Sequence, residues 1–178
     1  MSTTLTLPTA ESTRAWGEAL APLLRAGDLV VLTGDLGAGK TTLTQGIGAG
    51  LHVRGQVASP TFIIAREHPP LPRADGTRGP WLVHVDAYRL RSFDEVAALD
   101  LESEMDEAVT VVEWGGGWVE PLSEDRLELT LHRPHGAVDP TGDEPADAGE
   151  RVLEVVAVGP RWAGVALPGV GVVQPVAG

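Results

Sequence analysis

The residues best placed to do chemistry lie in one run, Gly34-Asp35-Leu36-Gly37-Ala38-Gly39-Lys40-Thr41. It fits G-x-x-x-x-G-K-[ST], the spacing of a phosphate-binding P-loop. Glycines let a backbone wrap closely around phosphate oxygens with its N–H groups aimed inward. A helix beginning at the end of the run adds free N–H donors and a partial positive charge. In that arrangement Lys40 sits on the β- and γ-phosphates, and the Thr41 hydroxyl on Mg²⁺. Lys40 is also the only lysine of the chain; the other twelve basic residues are arginines. A compact ammonium has thus been kept where a point charge on phosphate is useful.

The flanking elements suit this reading. Residues 28–33, Asp28-Leu29-Val30-Val31-Leu32-Thr33, form a short apolar, β-branched run expected to be a buried strand. Residues 41–51 read as a helix ending at Gly48 and Gly50.

Two further strands end in acids. Trp81-Leu82-Val83-His84-Val85 is followed by Asp86, and Val109-Thr110-Val111-Val112 by Glu113-Trp114. A carboxylate at the end of an apolar strand can reach Mg²⁺ or a water beside a P-loop. With two, one can bind metal while the other orients or activates water. Between the P-loop helix and these strands lies Ser59-Pro60-Thr61-Phe62, opening a strand over residues 62–67. It suits a plain turn into an edge strand and a γ-phosphate-sensing switch loop, with the Thr61 hydroxyl near Mg²⁺ or the attacking water, equally well.

The remaining elements position these groups. Residues 4–7 alternate like a short strand, and Thr9 or Ser12 can cap a helix running to about Leu24, with Pro22 in its last turn and Gly27 as its stop. Trp16 is read as core. Residues 68–80 hold four prolines and two glycines and read as a surface loop. Helices are expected over residues 92–99 and 102–107, and a half-buried strand over residues 126–132. Residues 134–150 are rich in Pro, Gly and Asp and read as a mobile insertion. Residues 151–158 and 162–167 read as a hairpin around Gly159-Pro160-Arg161, and residues 169–178 as a disordered tail. The organisation expected is one domain over residues 1–168.

The chain's 178 residues suffice for one sizeable core. The net charge of -12 is uneven: residues 94–154 carry eighteen acids and three bases. So acidic a chain repels a phosphate backbone, which argues against direct, tight nucleic-acid binding. The acidic segment reads as a solvated face, with a docking face for a basic partner as the alternative. The absence of Cys excludes disulfides and thiolate metal sites, and no apolar run reaches the length of a membrane span. A cytoplasmic location is expected.

Taken together, the P-loop run continuing into Thr42, Ser59-Pro60-Thr61-Phe62, His84-Val85-Asp86-Ala87-Tyr88-Arg89-Leu90 and Val112-Glu113-Trp114 closely resemble the bacterial TsaE (YjeE) family of ATPases, required for threonylcarbamoyladenosine modification of tRNA. The resemblance covers roughly residues 3–133 and the final hairpin. It implies an α/β, P-loop NTPase-like three-layer fold with a mixed, mostly central β-sheet flanked by helices. It implies that Gly34, Asp35, Leu36, Gly37, Ala38, Gly39, Lys40, Thr41 and Thr42 bind ATP, that Thr41 and Glu113 hold Mg²⁺, and that Thr61 and Asp86 join Lys40 and Glu113 in the switch and catalytic region. It further implies TsaB- and TsaD-like partners, with tRNA reached only through them. Where the family commonly has Pro after Glu-Trp, this chain has Gly115-Gly116-Gly117. A small-molecule kinase and a non-hydrolysing, nucleotide-dependent binding module are the competing classes. No Arg-rich lid supports the first, and the second has no need of two acids.

Overall fold

A computed structural model describes residues 2–58, 65–88, 106–114, 117, 119–133 and 149–178. The elements run β1 (Ser2–Leu7), α1 (Ala10–Leu20), β2 (Leu29–Gly34), α2 (Lys40–Leu51), β3 (Ala65–His68), β4 (Trp81–Asp86), β5 (Ala108–Glu113), β6 (Arg126–His132), β7 (Arg151–Val158), β8 (Ala166–Leu167) and β9 (Gly171–Val172). Seven strands form a mixed sheet in the order β1-β7-β6-β2-β5-β4-β3. Its centre is parallel, with β2 between β6 and β5, and β5 against β4; the β1–β7, β6–β7 and β3–β4 pairs are antiparallel. The expected α/β fold with a central mixed sheet is thus present. Of the helices expected over residues 92–107, all but Asp106 and Glu107 lies outside the described residues.

Central parallel strands are buried on both faces, and so read as unbroken apolar runs. Val30, Leu32, Val109, Val111 and Leu82 face α1 and α2 with Leu127, Leu129 and Leu131 of β6. Leu29, Val31, Val83, Val85 and Val112 form a second cluster with Val119 on the other face. Side chains alternate along a strand. The residues following Leu82 and Val111 at that period, His84 then Asp86 and Glu113, are therefore carried to the α2 face.

Thr9 caps α1. Its Oγ1 accepts the Ser12 N–H at 3.1 Å, while Ser12 Oγ accepts the Thr9 N–H at 2.9 Å. The helix stops at Leu20, short of Leu24, because Pro22 sits in a following 3-10 turn, Ala21–Leu23. Trp16 is core as read, and its Nε1–H donates to the Pro168 carbonyl at 2.8 Å.

Three expectations need correction. The second helix has the expected extent, Lys40–Leu51 against residues 41–51, but Gly48 and Gly50 do not stop it; they lie inside it, and His52, left-handed at φ 59°, is its cap. A Cβ on Gly50 would lie 2.6 Å from the Glu18 carbonyl, and one on Gly46 would strike the Arg14 carbonyl. These glycines therefore serve close packing of α2 on α1. Residues 151–158 and 162–167 do not form a hairpin. Strand β7 is already paired on both sides, by β1 and β6. Gly159, at φ 85°, and Pro160 turn the chain into a 3-10 segment that plants Trp162 fully in the core. The segment after Pro168 is also ordered: β9 pairs with β8, Val173 joins the core, and Val176 bridges to Val158.

Gly46→Ala is expected to destabilise the chain by about 2 kcal/mol, since overpacking against backbone outweighs the gain in helix propensity. A denaturant midpoint equal to the parent's would contradict this packing.

No helix among the described residues is long and apolar enough to cross a membrane.

Candidate functional site

The site forms where the parallel strands end, the edge of an open α/β sheet that presents loops and helix N-termini to ligands. Strand β2 ends at Gly34, residues 35–39 turn, and α2 begins at Lys40. Gly34 has φ 145°, and a Cβ there would run into the Leu131 carbonyl of β6. Gly39 has φ 99° and leads directly into the helix. Both positions need glycine. The turn is closed by the Ala38 N–H donating to the Asp35 carbonyl at 3.1 Å. Leu36 stands out at its tip, 90% exposed.

Lys40 is buried, and its Nζ donates to the carbonyls of Gly34 at 2.7 Å and Asp35 at 2.9 Å. The same ammonium lies 3.7 Å from the centre of the Trp114 ring. Burial lowers the Lys40 pKa from its ordinary value, opposed by Glu113, Asp86 and Asp35, in that order. Trp114 is held in place by its N–H bond to Leu32 O at 2.9 Å, with a left-handed φ of 62°. Tyr88 packs against it at a tilt, 5.2 Å between ring centres.

The two acids are register partners, Asp86 on β4 opposite Glu113 on β5. Glu113 is buried; its Oε1 accepts the Thr41 hydroxyl at 3.1 Å and lies 2.8 Å from Nε2 of the fully buried His84. Asp86 is less buried, and its Oδ1 accepts the Tyr88 N–H at 3.0 Å. A cleft of about 400 Å³ runs between the loop and these strands, lined by Leu36, Gly37, Gly39, Lys40, Thr41 and Thr42 on one side and Asp86 and Glu113 on the other.

Most of the residues singled out from the sequence therefore meet in one place. Gly34, Asp35 and Ala38 belong to the loop without lining the cleft, and Thr61 lies outside the described residues. Among the described residues, no three His, Cys, Asp or Glu side chains group to hold a metal. A cation here would need the Thr41 hydroxyl, one or two carboxylates and oxygens from a ligand and water, a donor set that suits Mg²⁺.

Three contributors had no role assigned from the sequence. His84 could have been found, since it precedes Asp86 by two on the same strand face. Trp114 directly follows Glu113, but its position over Lys40 depends on a left-handed turn that spacing does not reveal. Arg151 donates from Nε to the Ala38 carbonyl at 3.0 Å and from Nη2 to the Gly37 carbonyl at 3.1 Å. Nothing in the sequence connects positions 113 residues apart.

Sheet, loop and helix define an α/β protein of the P-loop kind. The profile of the family described as threonylcarbamoyl adenosine biosynthesis protein TsaE matches residues 7–138. A Streptomyces coelicolor protein named tRNA threonylcarbamoyladenosine biosynthesis protein TsaE is 56% identical over 151 residues, spanning 84% of this chain and 93% of that one. A Bacillus subtilis protein of the same name is 36% identical, over 85% of this chain and 84% of its own. The crystal structure of Bacillus subtilis YdiB superposes with a TM-score of 0.62 at 31% identity, over 90% of each chain. This chain belongs to the TsaE family.

Proposed function

We propose that the chain is a Mg²⁺-dependent ATPase of tRNA threonylcarbamoyladenosine biosynthesis, acting in the cytoplasm on a transfer complex of TsaB- and TsaD-like proteins. The observation that carries this is the shared cleft: a phosphate loop and Lys40 on one side, two strand-end carboxylates on the other.

In this reading the loop and the first turn of α2 receive the phosphates through their N–H groups, and Lys40 leaves its two carbonyls for β/γ oxygens. Thr41 and Glu113 hold Mg²⁺, which when bound neutralises charge on the phosphates. His84 holds Glu113 from behind, as outer-shell partners of metal-binding carboxylates do. Asp86, the less encumbered acid, orients the attacking water, with Thr61 in the switch region.

The chain offers a net charge of -12 and a single lysine, which do not suit tight binding to a phosphate backbone. Partners then bring the tRNA, and can supply in trans an arginine that raises turnover, an effect of about 10³–10⁵ in well-studied systems. Phosphate release is to be measured with this chain alone, with both partners, and with partners plus tRNA. Slow release alone and faster release in the complex are expected, without a phosphorylated small molecule. Full activity from the isolated chain, or salt-resistant tRNA binding by it, would overturn partner dependence. A phosphorylated acceptor would instead make it a kinase.

A further inference from the structure

We infer that Arg151 is a positioning residue for the phosphate loop, holding its backbone in the anion-binding shape from the side away from the cleft. Topology puts it there. Strand β7 runs antiparallel to β6, and Leu153 pairs with Leu131, which in turn pairs with Gly34. The first residue of β7 therefore lies at the sheet edge where β2 ends. The carboxylates stand on β5 and β4, on the other side of β2. The loop is held between these acids and Arg151.

Arg151 is 2% exposed, so it does not reach a ligand in the cleft. Its guanidinium works as a fork on backbone carbonyls. Nε and Nη2 take Ala38 and Gly37, while Nη1 takes Gly149 and Glu150 at 3.1 Å each. A planar trans peptide points its C=O and its N–H in opposite directions. Drawing the Ala38 carbonyl toward Arg151 thus turns the Gly39 N–H away from it, and Gly39 lines the cleft. Gly39 would otherwise be among the freest residues of the chain. The bonds are charge-assisted, and Arg is the side chain whose rigid fork can serve neighbouring carbonyls together.

The inference rests on the reading that this loop binds nucleotide phosphates. Parent, Arg151→Lys and Arg151→Met are compared by calorimetric titration with MgATP and by thermal melting with and without MgATP. Arg151→Met is expected to bind about tenfold more weakly, the loss of one charge-assisted bond's worth of ordering, and Arg151→Lys to fall between it and the parent. The rise in Tm that MgATP produces shrinks in the same order. A residue that only braced the fold would lower Tm equally with and without nucleotide and leave affinity unchanged, and that result would overturn the inference. Should Arg151→Met fail to fold, Arg151→Lys decides alone, and parent-like affinity in it overturns the assignment. A parent that binds no MgATP would overturn the nucleotide reading itself, whereas a parent and variants that bind alike would overturn only the role of Arg151.

Discussion

Lys40→Ala is expected to weaken MgATP binding about a hundredfold or more, the largest loss of nucleotide affinity from any single change at the site, given about 3 kcal/mol for a charged donor on phosphate. Among the described residues Lys40 is the only side-chain cation lining the cleft, and no other lysine exists to replace it. The same change should leave the fold nearly intact. Lys40 spends its donors on the Gly34 and Asp35 carbonyls beside an open cleft, where water can take its place. Calorimetry and thermal melting together read both halves of the expectation. Unchanged affinity for MgATP in a folded Lys40→Ala protein would sink the assignment of the loop.

Glu113→Ala and Asp86→Ala are each expected to cut phosphate release in the complete system by about 10²–10⁴, the range for a lost positioned carboxylate. Their effects on stability should differ. Glu113 is 3% exposed and accepts from Thr41 while facing His84 Nε2, so its loss strands buried polar groups and costs about 1–3 kcal/mol. Asp86 meets only the Tyr88 N–H among its described bonds, and its removal should barely move Tm. Two variants hydrolysing ATP like the parent would refute the two-carboxylate reading. A large loss of stability in Asp86→Ala alone would show that its place at the open end of β4 has been misjudged.

Some of this was decided by the sequence alone, because it depends on residues close together in the chain. The glycine loop, Lys40 and Thr41 form a local unit whose geometry follows from glycine freedom and a helix start. The apolar runs over residues 82–85 and 109–112, each followed by an acid, were enough to put acids at two strand ends. Strand β6 was legible for the same reason: Leu127, Leu129 and Leu131 repeat at the period of a pleat. Local patterns were misleading where glycine had two meanings. At Gly48 and Gly50 it reads as a helix stop, and only the approach of Val57 and Leu82 to the first and of α1 to the second shows that it is there for packing. The same holds for the last residues of the chain, whose sparse apolar side chains look unstructured until Val173 is seen to join the core and Val176 to bridge to Val158. Strand order was beyond any local pattern. That β4 lies against β5 brings Asp86 beside Glu113, and that β7 runs antiparallel beside β6 delivers Arg151 to the carbonyls of Gly37 and Ala38. Spacing in a sequence determines which face of an element a side chain takes; which elements become neighbours is settled by how the whole sheet buries its two faces, and that competition exists only in the folded chain.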